Sequence, residues 1–153
     1  MTRPLYEHTQ AGWPIRITLI ACSVLFVVLA VMPELSPTPT SPLALLGGAA
    51  VAAVMGWTWS ALTVRIQGEE LQVRFGLGWP RKTLRLAEIA ATEVTRTTFL
   101  EGWGIHRTRR GWLYNVSGFD AVLLRLTNGR TLMVGTDEPR RLKTAIERAQ
   151  ART

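Results

Sequence analysis

Cysteine is almost absent from this chain. Its single copy, Cys22, stands inside an apolar run, so no intramolecular disulfide can staple the fold. In that setting a small cysteine suits helix packing. Histidine is nearly as scarce. His8 and His106 lie far apart, and no His, Cys, Asp or Glu cluster has the spacing of metal ligands. No phosphate loop or dinucleotide fingerprint is present, and Gly76-Leu77-Gly78 is a turn. His106, Ser117 and Asp120 supply the residue types of a hydrolytic triad, but no nucleophile elbow surrounds Ser117. The expectation is a protein with no catalytic residue, no metal site and no cofactor.

Lysine is the third scarcity. Of 18 basic residues only two are lysine, Lys82 and Lys143. Arginine can grip phosphate in a bidentate way that lysine cannot. The same bias follows from GC-rich codon usage. Charge of either sign is missing from residues 17–32 and again from 35–64. The basic residues stand elsewhere: 16 of the 18 follow Val64, against nine acidic residues there. That half of the chain therefore carries the whole net charge of +7, which suits apposition to an anionic surface.

The two uncharged stretches read as membrane segments. The first is predicted as a helix over about residues 15–32, roughly 27 Å at ~1.5 Å per residue, close to the ~30 Å hydrocarbon core. Arg16 can snorkel to the headgroups, and Trp13 stands where an interfacial aromatic belongs. A cleaved signal peptide would need a small-x-small site before Pro33, and no good one is present. The second helix is predicted over 42–62, with Trp57 and Trp59 near its end. Ala44, Gly48, Ala52, Gly56 and Ser60 recur at spacing four. Such a small-residue ladder lets a neighbouring helix approach closely, either the first helix or a second copy of the chain.

Between these runs, 33–41 is Pro-rich and has no Lys or Arg. Arg3, Arg16 and Arg65 flank the pair on the other side. The positive-inside rule then puts the loop outside and both termini in the cytoplasm of a multi-pass plasma-membrane protein. Residues 1–14 are expected to be a short cytoplasmic segment, and 62–150 a cytoplasmic domain.

After residue 62 the hydrophobic period shortens to two. Leu62, Val64 and Ile66 alternate with polar residues, Gln67-Gly68-Glu69 makes a turn, and Leu71, Val73 and Phe75 alternate again. Thr83–Leu86 and Ile89–Thr95 are further strand candidates. Ala121–Thr127 and Arg130–Gly135 flank Asn128-Gly129, predicted as a two-residue hairpin turn. Thr136-Asp137-Glu138-Pro139 reads as a helix start, followed by an apolar stripe of Leu142, Ala145, Ile146 and Ala149.

This order resembles the bacterial membrane-anchored pleckstrin-homology-like proteins. The residues that carry the resemblance are Leu71-Gln72-Val73-Arg74-Phe75-Gly76, Leu86-Ala87-Glu88-Ile89, Gly102-Trp103-Gly104-Ile105, Gly111 through Gly118, and Leu126 through Arg130 continuing to Gly135-Thr136-Asp137-Glu138-Pro139. The resemblance implies an α+β fold. In it a two-helix transmembrane hairpin is followed by a mostly antiparallel β-barrel or sandwich and one C-terminal helix. Phosphoinositide-binding relatives carry basic residues at the first hairpin turn. Here that turn is the acidic Gln67-Gly68-Glu69-Glu70, so no inositol-phosphate site is expected there.

One segment, from Phe99 to Phe119, does not alternate cleanly. It gathers Arg107, Arg109 and Arg110 with Trp103 and Trp112 among several glycines. Two readings stand. The segment is a recognition loop whose arginines hold anionic headgroups or an acidic peptide while Trp103 and Trp112 enter the headgroup layer, or it is a hairpin whose tryptophans fill the core and whose arginines are solvated. The expected function is a non-enzymatic, membrane-tethered binding or scaffolding module that contacts anionic lipid or a protein partner. The alternative is an accessory subunit or assembly factor for another membrane protein, with a hydrolase third. No nucleic-acid partner is expected, because the anchored chain has no known nucleic-acid-binding motif.

Overall fold

Alternation of apolar and polar side chains sets the sheets. The computed structural model describes residues 3–36 and 40–152. Strand β2 (Ala61–Gln67) buries Leu62, Val64 and Ile66 and turns Thr63 and Arg65 outward. Strand β3 (Glu70–Phe75) does the same with Leu71, Val73 and Phe75. With β4 (Arg81–Arg85) they form an antiparallel sheet, extended on its other side by β1 (Tyr6–Ala11). The second sheet has the order β5 (Ile89–Arg96), β8 (Asp120–Leu126), β9 (Thr131–Gly135), β7 (Gly111–Asn115), β6 (Gly104–Thr108). All its pairs are antiparallel except β7 with β9.

The two sheets pack around a core drawn from β2 and β3 on one side and from Val122, Leu124, Leu132 and Val134 on the other. Burying each such side chain contributes about 1.5–3 kcal/mol. Helix α3 (Pro139–Gln150) inserts Leu142, Ile146 and Ala149 into this core. Gln150 fixes its end by donating to the carbonyls of Leu86 and Ile89. The fold is α+β with two sheets, which do not close into a barrel among the described residues. The chain crosses between sheets through a 3-10 turn at Leu86–Glu88, so β4 and β5 share no ladder.

The residues before the first helix are not a separate segment. Strand β1 pairs with β2 through all of its six residues, from Tyr6 opposite Ile66 to Ala11 opposite Ala61. Helices α1 (Trp13–Val31) and α2 (Pro42–Thr58) therefore leave and re-enter the sheet between adjacent strands. The Gly12 N–H closes the gap by donating to the Ser60 carbonyl at 2.7 Å. The domain is thus built from residues 6–11 as well as 61–150, which replaces the expected start at 62.

Helix α2 stops at Thr58 rather than Leu62, because Ala61 onward is committed to backbone pairing in β2. Among the described residues α1 alone is long and apolar enough to cross a membrane, and α2 is shorter. The two pack antiparallel. Ser23 Oγ donates to the Ala49 carbonyl, a Cβ at Gly48 would lie 3.2 Å from the Phe26 ring, and one at Gly56 would lie 3.2 Å from Leu19. Ala52 is buried with them. The expected ladder is shorter than five residues: Ala44 is exposed, and Ser60 lies past the helix end. Pro37, Thr38 and Pro39 of the expected Pro-rich loop lie outside the described residues.

Two local expectations also change. The hairpin turn at Asn128-Gly129 is a three-residue loop, because Leu126 N–H donates to the Arg130 carbonyl and Gly129 N–H to that of Leu126. Only Gly129, at φ +79°, takes a left-handed conformation, whereas the two-residue type I′ turn needs two such residues. At the start of α3, Pro139 occupies the first helical position, and the Thr136 hydroxyl accepts the Glu138 N–H just before it.

Candidate functional site

The Phe99–Phe119 segment folds into the β6–β7 hairpin and its flanking loops. Asn115, fully buried, organises the loop that follows β7. Its amide donates to the Gly118 carbonyl and its oxygen accepts the Ser117 N–H. The Ser117 hydroxyl in turn donates to the Ala11 carbonyl, and Gln10 donates to the Ser117 carbonyl. This end of β7 therefore sits against the point where α1 leaves the sheet. The Arg109-Arg110 turn lies at the other end of β7, about 15 Å away along the strand.

The five expected residues separate. Trp103 stands near the helix junction, where its indole donates to the Gly118 carbonyl and its ring meets Phe99 edge-on. Trp112 lies on the core-facing side of β7 but is 48% exposed. Neither tryptophan fills the core. That role falls to Phe75, which meets Trp59 edge-on and packs near Tyr114.

Arg110 is a latch. It donates to Thr95 Oγ1 at 2.9 Å, to the Arg96 carbonyl at 2.8 Å and to Glu101 at 3.0 Å. Thr95 and Arg96 belong to β5, one edge of the second sheet, while Arg110 follows β6, the other edge. The sheet curves enough for one side chain to join its two edges. Its second face buries Leu113, Leu123 and Met133, and His106 Nε2 is buried with no hydrogen-bond partner among the described residues. Burial alone would raise the Glu101 carboxyl. Hydrogen bonds from the Thr98 N–H and Arg110, with the Arg110 charge, hold it below the ordinary carboxylate value instead.

Arg107 and Arg109 meet a different residue. The parallel pairing of β7 with β9 sets Trp112 opposite Leu132, which carries the preceding turn and Arg130 alongside β6 and β7. Arg107, Arg109, Arg130, Trp112, Thr108 and Thr131 line an open cleft of about 520 Å³. No carboxylate lines it. Arg65, Arg85, Arg96, Arg110, Arg125 and Arg141 each face a carboxylate, whereas these three arginines have no ion pair among the described residues. Arg130 was missed from sequence because only the non-local β7–β9 pairing brings it here.

His106, Ser117 and Asp120 are not assembled. Ser117 is bound to Ala11, Asp120 pairs with Arg96 at 3.2 Å, and His106 Nε2 is buried alone. Among the described residues no group of three His, Cys, Asp or Glu side chains could hold a metal ion. No protein-family model matches the chain, and no curated protein matches its sequence.

Proposed function

We propose that this protein is a non-enzymatic, pleckstrin-homology-like binding module held on a membrane by the α1–α2 hairpin, with its apolar loop tips seated in the interfacial layer. The carrying observation is the position of the exposed apolar residues. Outside their mutual contact the helices present Ile17, Val24, Val31, Leu43, Val51 and Val54 to the exterior, and no other described part of the chain covers them. A helix apolar all round calls for a non-aqueous surrounding. At the domain end of the hairpin, Trp13 and Trp57 are exposed at interfacial depth.

Two loops continue that belt. The β3–β4 loop exposes Leu77 and Trp79, by 80% and 73%, and packs on the end of α2 through Gly76. The β5–β6 loop exposes Phe99 and Leu100, by 75% and 96%. It borders the 116–119 loop through the bonds of Thr97 and Trp103, and that loop abuts Ala11. Large apolar side chains this exposed, grouped around a helix exit, suit a membrane contact rather than water. Because both ends of the hairpin enter the sheet directly, the domain is held at the surface in one orientation. The charge bias of the sequence supports a cytoplasmic side for both termini and the domain in a plasma-membrane protein.

The reading is tested with spin labels. In a Cys22→Ser background, Leu77→Cys and Leu100→Cys are labelled in the full chain reconstituted into phosphatidylcholine vesicles. Both labels are expected to be more accessible to oxygen than to a water-soluble nickel chelate, and an Asn128→Cys label the reverse. Water-like accessibility at Leu77 and Leu100 would refute the seated orientation.

A further inference from the structure

We propose that the cleft of Arg107, Arg109 and Arg130 is a binding site for a phosphate-type polyanion. This goes beyond the membrane contact above and does not depend on it, since the cleft lies at the opposite end of β7 from the helix junction.

Three guanidiniums border one open space of about 520 Å³ with no carboxylate in its walls. At other arginines of the second sheet the chain supplies counter-charges: Glu93 to Arg125, Asp120 to Arg96 and Glu101 to Arg110. A second basic cleft, beside α3, contains Arg140, Arg141, Arg148 and Arg152, and there Arg141 is paired with Glu138. The Arg107 cleft collects three cations and gives none of them an ion-pair partner among the described residues. Like charges so placed repel, and a bound anion removes that repulsion while gaining charge-assisted hydrogen bonds.

The geometry favours phosphate. Arg107 is fixed on β6 opposite Trp112, Arg109 stands in the following turn, and Arg130 ends the β8–β9 turn. They come from two separate hairpins, β6–β7 and β8–β9, rather than from one stretch of chain. That arrangement can place donors around a multiply charged group from more than one side, and arginine forks match phosphate oxygens in pairs. The hydroxyls of Thr108 and Thr131 already donate to the Gly111 and Arg110 carbonyls, so they shape the cleft and the arginines supply the donors. Trp112 gives one apolar wall.

The test uses the full chain in phosphatidylcholine nanodiscs, titrated calorimetrically with inorganic pyrophosphate at low salt. Saturable binding near one ligand per chain is expected. Arg107→Ala and Arg130→Ala are each expected to weaken it by about tenfold to a hundredfold. Arg130→Lys should lose less, because it keeps the charge but not the fork. Arg125→Ala should bind as the wild type does. Thermal melting of each variant establishes that it is folded. A parallel arm adds phosphatidic acid to the nanodiscs and measures competition with pyrophosphate. Competition that depends on Arg130 assigns the same site to a lipid headgroup, and its absence assigns it to a soluble ligand. No saturable binding in either arm, or affinity unchanged in both alanine variants, overturns the proposal.

Discussion

Arg110 Nη2 lies 3.0 Å from Glu101 Oε2, and through that contact the turn after β6 is tied to the loop after β5. The pair is partly exposed, with the arginine side chain 39% accessible, so solvent screening limits its worth. Removing Arg110 also strips the donors from Thr95 and the Arg96 carbonyl. Arg110→Ala is therefore expected to lower stability by about 1–2 kcal/mol, measured by thermal melting. Phosphate binding in the neighbouring cleft should persist, because Arg110 does not line it.

The same pair has a pH signature. The folded Glu101 carboxyl sits below its ordinary value of 4.5, so its contribution is present above that value. As pH falls through the lower folded value, the carboxylate protonates and the contribution is lost. Melting temperatures of wild type and Glu101→Gln are expected to differ at pH 7 and to converge in acid. A gap that stays constant down to pH 3 would contradict the ion-pair account.

Much of the fold was legible in the residues, for a local reason. Leu62-Val64-Ile66, Leu71-Val73-Phe75 and the stripe Leu142-Ile146-Ala149 each reveal a period within a few residues. Strand β1 was not legible, since Tyr6-Glu7-His8-Thr9-Gln10-Ala11 is mostly polar and its partner β2 follows more than 45 residues later. It is held there by pairing along its whole length, and by His8, whose Nε2 lies 2.5 Å from Asp137 Oδ1 at the start of α3. The candidate site divides in the same way. Arg107, Arg109 and Trp112 were visible as a local cluster. Arg110's latch and Arg130's entry depend on which strands neighbour one another, which no local spacing reveals.

Tyr6 supplies an alkaline test of that first strand. Burial, reinforced by the nearby Glu138 carboxylate, pushes its phenol up to about 12 from 10.0. An unfolded chain ionises this phenol near pH 10, while the folded one retains its proton. Stability is thus fully present below pH 10 and is lost as pH rises toward 12. Tyr6→Phe is expected to flatten this loss in melting curves between pH 9.5 and 11.5. Absorbance titration near 295 nm should show delayed phenolate formation in the folded wild type. Burial also raises Tyr114, so the variant identifies which phenol is followed.

Gly76 tests how tightly the β3–β4 loop is seated on α2. Its φ is +38°, and an added Cβ would lie 2.3 Å from the Thr58 carbonyl oxygen. Gly76→Ala therefore meets both a disfavoured backbone conformation and a clash with backbone that cannot turn aside. A loss of about 2–4 kcal/mol is expected from strain and displacement together. Gly78→Ala provides the contrast: its φ is +98°, but the space around it is open. Its cost should stay near the conformational term, about 1–2 kcal/mol. Equal losses in the two variants would show that the loop does not depend on its contact with α2.

The helix pair can be judged by where bulk is tolerated. Gly48 meets the Phe26 ring and Gly56 meets Leu19, so leucine at either position must separate the helices or displace those side chains. Overpacking of this kind costs about 1–3 kcal/mol. In a protein of this size that lowers the melting temperature in mild detergent by about 3–10 °C. Ala44 carries the same four-residue spacing but is exposed, so Ala44→Leu should leave the melting temperature within about 1 °C. If Ala44→Leu proves as damaging as Gly48→Leu, the small-residue face extends beyond the α1 contact and a second copy of the chain packs on it. Chemical crosslinking in native membranes would then have to trap a dimer that Ala44→Leu abolishes, whereas a monomer at every concentration would confine the ladder to the α1–α2 contact.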